Sequence, residues 1–159
     1  MRLAMTEGLG PTLTSRLIKA AGGAEQAVAA IDSSQGPALL RSIEGVRFAK
    51  SETILSSLRA TRDEAHQEIE RCDSMGVSII TWDDASYPTM LRQVPAAPIV
   101  IWVRGLLEPR DLHTIAIVGS RKCTIYGREQ AERFGSGLAG VGVTVVSGGA
   151  RGVDTHAHK

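Results

Sequence analysis

The chain has 159 residues, 43% of them hydrophobic and 4% aromatic, with a formal net charge of +1 at pH 7. That length suits one ordinary domain or two small ones, and the near-neutral balance means that a nucleic-acid site would have to be a local patch rather than a global excess of basic residues. The segment MRLAMTEG has no secretory core, the apolar run Ile99 to Val103 is far too short to cross a bilayer, and Cys72 and Cys123 match no zinc or redox spacing. The expectation is a cytoplasmic protein without a membrane segment, its two thiols reduced and packed as small hydrophobes.

Residues 1–60 read as a helical module. Gly8 to Pro11 makes a tight turn, and Leu13, Leu17, Ile18 and Ala21 follow at helical spacing. Gly22-Gly23 ends that helix, Ala24 to Ile31 starts another, and Pro37 to Ile43 and Phe48 to Leu58 are two more candidates. A Gly-containing turn ahead of a helix is the helix-hairpin-helix pattern, whose amides can hold a DNA phosphate, and Ile43 to Val46 reads as a second, degenerate hairpin. Only Arg16 and Lys19 follow the first hairpin, so a helical bundle without DNA contact competes with that reading. The residues show neither an internal repeat nor a low-complexity tract.

Residues 61–159 read as the first part of a Rossmann-like α/β domain. Thr61 and Glu64 suggest a capping box for a helix with Ala65, Ile69 and Cys72 on its apolar face, stopped by Gly76. Val77 to Trp82 and Ile99 to Val103 read as strands, the second expected to join the main sheet. Ile115 to Val118 and Val143 to Val146 are short, near-continuous aliphatic runs, as in parallel strands buried on both faces. Between them Gly127, Ala131, Phe134, Leu138 and Val141 form a core-facing helical stripe, with Arg128, Glu129, Glu132 and Arg133 on the solvated face. A doubly wound sheet would need further strands after Lys159, so the expectation is a domain truncated at its carboxyl end, with the last forty or so residues loosely packed if expressed alone.

Both aliphatic strands end in turns rich in small residues, at the edge where open parallel sheets bind ligands. Gly119, Ser120 and Arg121 form the first loop: a sharp turn, a hydroxyl, and a guanidinium that can fork onto phosphate oxygens or stack on a base. Ser147, Gly148, Gly149, Ala150, Arg151 and Gly152 form the second, nearly a G-x-G-x-x-G turn with Asp154 as the expected cap of the next helix. No G-K-[ST] closes it, so it is not a P-loop. The candidate phosphate-binding residues are therefore Gly119, Ser120, Arg121, Ser147, Gly148, Gly149, Arg151 and Gly152. His156 and His158 diverge by about 200° on a helix and cannot chelate from one face, so no metal is expected. Asp154 and His158, four apart, suggest instead a carboxylate steering an imidazole. No catalytic residue and no cofactor are expected.

Three blocks carry a resemblance: Y-P-T-M-L at Tyr87 to Leu91, P-I-V-I-W-V-R-G at Pro98 to Gly105, and V-G-S-R, Y-G and S-G-G-A-R-G-V-D-T-H-A-H between Val118 and His158. In their order and spacing they resemble the DNA-processing protein A family, also called Smf. Where Gly149 stands the family usually has Leu or a similar residue, a mild departure that would loosen the loop. The resemblance implies a non-enzymatic protein that binds single-stranded DNA during natural transformation, protects it, and helps load the RecA recombinase. It also implies a Rossmann-like fold behind a small helical module resembling a sterile-alpha-motif domain. DNA contact would come from Arg121 and the Gly-rich second loop, and a homodimer would form through the later part of the Rossmann domain. The rival is a Rossmann-like nucleotide-processing enzyme, similar to the phosphoribohydrolases that resemble lysine decarboxylases. Its P-G-G-x-G-T loop and downstream Glu are not visible in these residues.

Overall fold

The computed structural model describes the backbone of residues 1–159 and every side chain except those of Phe48, Ala49 and Arg110. The chain divides into two compact units, Met1–Leu106 and Leu107–Lys159.

The first unit contains five helices, α1 (Arg2–Met5), α2 (Pro11–Ala21), α3 (Ala24–Asp32), α4 (Gly36–Ser42) and α5 (Phe48–Ser74), then strand β1 (Val77–Thr81), the short helix α6 (Thr89–Arg92) and strand β2 (Val100–Arg104). Pro11 opens α2 at a position where its missing N–H is no loss, and Gly22, at φ 86°, closes it. The expected helix at 48–58 and the one starting at Thr61 are one continuous helix. Thr61 is no cap: it lies buried in the middle of α5, its hydroxyl donating to the Leu58 carbonyl at 2.8 Å. A well-packed face overrides a local capping signal here, since the whole segment has a core to cover. Leu3, Leu9, Leu17, Ile31, Leu40, Val46, Ile54 and Leu58 make that core.

The helical part contains an internal repeat. Leu3, Gly8, Leu9, Thr14, Leu17 and Ile18 correspond, at one constant offset along the chain, to Leu40, Gly45, Val46, Ser51, Ile54 and Leu55. Both glycines adopt positive φ, 85° and 92°. Each hairpin rests on the other half's long helix: a Cβ on Gly8 would lie 3.3 Å from Ile54, and one on Gly45 would lie 3.4 Å from Leu13. Each hairpin glutamate backbone is also braced by the other half, the Glu7 amide donating to Ser57 Oγ and Arg16 Nη1 donating to the Glu44 carbonyl, both at 2.7 Å. The repeat escapes the sequence because only Leu, Glu and Gly recur unchanged between L-A-M-T-E-G-L and L-R-S-I-E-G-V.

Strands β1 and β2 pair antiparallel, Val77 opposite Arg104 and Thr81 opposite Val100. This corrects the expectation that the second of them joins the parallel sheet. Only Gly105–His113 separates β2 from the next strand, fewer residues than the dozen or so that a parallel crossover takes. The turn between β1 and β2 is pinned by Tyr87, which is buried and donates its hydroxyl to the Pro98 carbonyl at 2.6 Å. The Arg92 guanidinium lies over both Trp82 and Tyr87, 5.9 and 5.5 Å from their ring centres.

The second unit holds a 3-10 turn (Pro109–Leu112), strand β3 (Thr114–Ala116), helix α7 (Ile125–Gly140), strand β4 (Thr144–Val146) and the single-turn helix α8 (Val153–His156). β3 and β4 are parallel, Ile115 opposite Val145, so the unit is the β-α-β arrangement expected of a Rossmann-like sheet. The expected burial on both faces is not found: Ile115, Val118 and Val146 are all exposed. The helix α7 packs on β4 and α8 packs on α7, and no further layer covers these exposed residues among the described residues. The core stripe of α7 is also rotated from expectation. Ala131 and Gly135 face inward, while Phe134 and Val141 are 60% and 76% exposed. Gly135 sets that rotation, because α8 lies so close that a Cβ would overlap the Ala157 carbonyl oxygen. Among the described residues no helix is long and apolar enough to cross a membrane.

Candidate functional site

The two parallel strands deliver both small-residue loops to the same end of the β-α-β unit, and the loops touch. The Val153 amide donates to the Ser120 carbonyl at 3.2 Å. Gly152 sits at φ 91°, with the place of its missing Cβ taken by the Ser120 carbonyl and the Arg121 backbone. Gly119 is equally constrained, since a Cβ there would lie 2.8 Å from the Val153 side chain. These glycines are needed for close approach between the loops. Gly149, at φ 65°, has open space around it, so its role is the turn itself. The eight candidate residues thus form one surface rather than two.

The serines are internal braces. Ser120 Oγ accepts from the Lys122 amide at 3.1 Å, and Ser147 Oγ accepts from the Gly149 amide at 3.2 Å. Ser147 Oγ also lies 2.9 Å from His158 Nε2. Arg121 and Arg151 are exposed and enter no hydrogen bond or ion pair among the described residues. Lys122 is exposed beside them. Three side-chain cations therefore surround the loop pair, and two of them carry the planar fork that matches phosphate oxygens.

Asp154 departs from its expected place. The residue before α8 is Gly152, and Asp154 lies inside the helix, 4% exposed. Its Oδ1 accepts from the Gly119 amide and its Oδ2 from the Ala150 amide, each at 3.3 Å. The expected partnership with His158 does not form. His158 meets Ser147, and His156 Nδ1 lies 2.7 Å from Glu132 Oε1. Glu132, expected on the solvated face of α7, is thus the anchor for α8. The His156 hydrogen bond holds the Glu132 carboxyl below its usual range, against a smaller opposing effect of desolvation, and the charges of His156 and Lys159 act in the same direction. Residue spacing carries no signal for the His158 and His156 partnerships, and the small residues opposite Asp154 are the one signal for the first.

The amide inventory narrows what the loops can bind. Gly119, Ala150, Gly149, Val153 and Lys122 already donate within the protein. The amides of Ser120, Arg121, Gly148, Arg151 and Gly152 donate to nothing among the described residues. With α8 only one turn long, its dipole adds little, so the side-chain cations and those five amides are what an anion would meet. Among the described residues no group of three His, Cys, Asp or Glu side chains could hold a metal. A cavity of about 600 Å³ in the first unit is lined by Ile18, Val28, His66 and Trp82, among others. It contains none of the candidate residues.

The sequence model of the family described as DNA recombination-mediator protein A matches residues 78–159. Similar proteins include Protein Smf of Synechocystis, 30% identical over 96% of this chain and 37% of that protein. DNA processing protein DprA of Streptococcus pneumoniae is 34% identical over 60% of this chain and 33% of its own length. Protein Smf of Escherichia coli is 38% identical over 51% of this chain and 22% of its own length. The matches thus span between 22% and 37% of the length of these curated relatives. The residues matched by the family model, 78–159, include both of the paired loops.

Proposed function

Because this chain belongs to the DNA recombination-mediator protein A family, we propose that it binds single-stranded DNA through the paired loops of its second unit, with no chemical step of its own. The observation that carries this reading is that Arg121 and Arg151, on two loops that touch, are exposed and have no partner among the described residues. Unpaired guanidiniums beside unused amides suit a backbone phosphate, and a flat fork can also stack on an unpaired base. A net charge of only +1 agrees with a local patch rather than a broad duplex-binding face.

The relative from Streptococcus pneumoniae is named a DNA processing protein. In that setting the proposed role is to hold and protect incoming single strands during natural transformation, in the cytoplasm, and to hand them to the RecA recombinase, the protein acting as a homodimer. Binding should track phosphates rather than sequence, because loop amides and arginines at a backbone carry no base code.

The test is fluorescence anisotropy with a labelled single-stranded oligonucleotide and its duplex, at two salt concentrations. Tighter binding of the single strand, weakening as salt rises, is the expected result. Equal affinity for both forms, or no salt dependence, would overturn the reading. Adding RecA to the bound strand, with filament formation as the readout, tests the hand-over separately.

A further inference from the structure

We propose that Asp154 is the positioning residue that locks the two loops into one ligand site. The proposal rests on the DNA-binding reading above. Asp154 is a buried carboxylate with no cationic partner among the described residues. Its charge is met by two backbone amides, one from each loop: Gly119 on Oδ1 and Ala150 on Oδ2. Burying a charge is costly unless hydrogen bonds compensate it, and here the compensation consists of holding two loops together, one of them through Gly119, 35 positions from Asp154. Gly148 is shaped to the same group, since a Cβ there would lie 3.0 Å from Oδ2. Because both oxygens draw their amides inward, the unused amides of Ser120, Arg121, Gly148, Arg151 and Gly152 are left for a ligand. The carboxylate also repels any phosphate that approaches it closely, so an anion is directed toward Arg121 and Arg151.

Asp154→Asn separates the two effects by sign. It removes the repelling charge, which alone would tighten DNA binding. It also replaces one acceptor by an NH2 group facing an amide N–H, which frees one loop. Positioning predicts a loss of single-strand affinity of about tenfold or more, the scale of a lost charge-assisted hydrogen bond. Combined with Arg121→Ala, the losses should fall short of multiplying, because Arg121 is already out of place when Asp154 is changed. Hydrogen exchange gives a readout independent of DNA: the Gly119 and Ala150 amides should exchange faster in Asp154→Asn, while the Ile117 amide, bonded to the Val146 carbonyl, stays protected. Gly148→Ala is the milder companion. It keeps the carboxylate but crowds it by a few tenths of an ångström, and should give the same exchange pattern with a smaller loss of affinity. Unchanged or tighter binding by folded Asp154→Asn, fully multiplying losses with Arg121→Ala, or unaltered exchange at Gly119 and Ala150 would each overturn the proposal. If the unaltered protein fails to bind single strands, the DNA-binding reading falls, and the exchange measurement still decides whether Asp154 holds the loops.

Discussion

Gly152 lies directly against the Ser120 carbonyl, at φ 91°, with no room for a Cβ between them. Gly152→Ala therefore meets two obstacles at once: a backbone conformation that L residues rarely adopt, and an overlap with a backbone atom that cannot rotate aside. The expected cost is about 2–4 kcal/mol, from strain plus overpacking. Urea denaturation followed at α7 and α8 would measure it. A change smaller than about 0.5 kcal/mol would mean that the loops are not in contact in solution.

The His156–Glu132 pair makes the α7–α8 contact sensitive to acid. The Glu132 carboxyl lies below its ordinary value of 4.5 in the folded protein, chiefly through its hydrogen bond to His156. Folding then binds fewer protons at this site than the unfolded chain does. The stabilisation is present above 4.5 and is lost as pH falls through the lower, folded value. Thermal melts of the parent and of Glu132→Gln should differ near neutral pH, with the gap closing on acidification. Glu132 is partly exposed, so the gap should also shrink with salt.

Arg121 offers the direct test of the interface. Arg121→Ala should weaken single-strand binding by about 1–3 kcal/mol and lower the salt slope by about one phosphate contact, leaving the fold intact. Arg121→Lys should restore the charge and only part of the affinity, since an ammonium lacks the planar fork. Anisotropy titrations at several salt concentrations separate these outcomes, and an unchanged slope for Arg121→Ala would remove the residue from the site.

Leu17 and Ile54 occupy equivalent places in the two halves of the helical repeat, both fully buried. Leu17→Ala and Ile54→Ala should each cost about 2–5 kcal/mol by opening a cavity. Their costs should be similar, because their surroundings are related by the repeat. Guanidinium unfolding of the first unit would compare them. A cost below about 1 kcal/mol for either would contradict its central place.

The β-α-β unit and the position of its two small-residue loops are legible because short aliphatic runs followed by Gly, Ser and Arg report a strand end locally. The links made by Asp154 are not. The Gly119–Asp154 bond spans 35 positions, and a carboxylate near a helix start reads the same whether it caps its own helix or ties down another loop. Phe134 was misplaced for a related reason: apolar periodicity selects the bulkiest stripe, whereas the close approach of Ala157 is decided by Gly135, a residue with no side chain to count. The pairing of β2 with β1 depended on the length of the segment after β2 rather than on the strand's own residues. The helical repeat survives in its burial pattern and its two positive-φ glycines, which sequence identity barely records.

That repeat has a mechanical consequence. Each hairpin finds its floor on the opposite half, Gly8 on Ile54 and Gly45 on Leu13, so neither half hides its own apolar side. The module is in effect a dimer written on one chain, with α3 as a packed tether that adds Ala27 and Ile31 to the shared core. Its stability is that of an association whose partners can never drift apart, and the tether supplies the local concentration that two free halves would lack. A protease cut in the exposed turn at 33–35 should leave a complex that holds at high protein concentration and dissociates and unfolds on dilution, whereas the uncut chain melts at one temperature whatever its concentration.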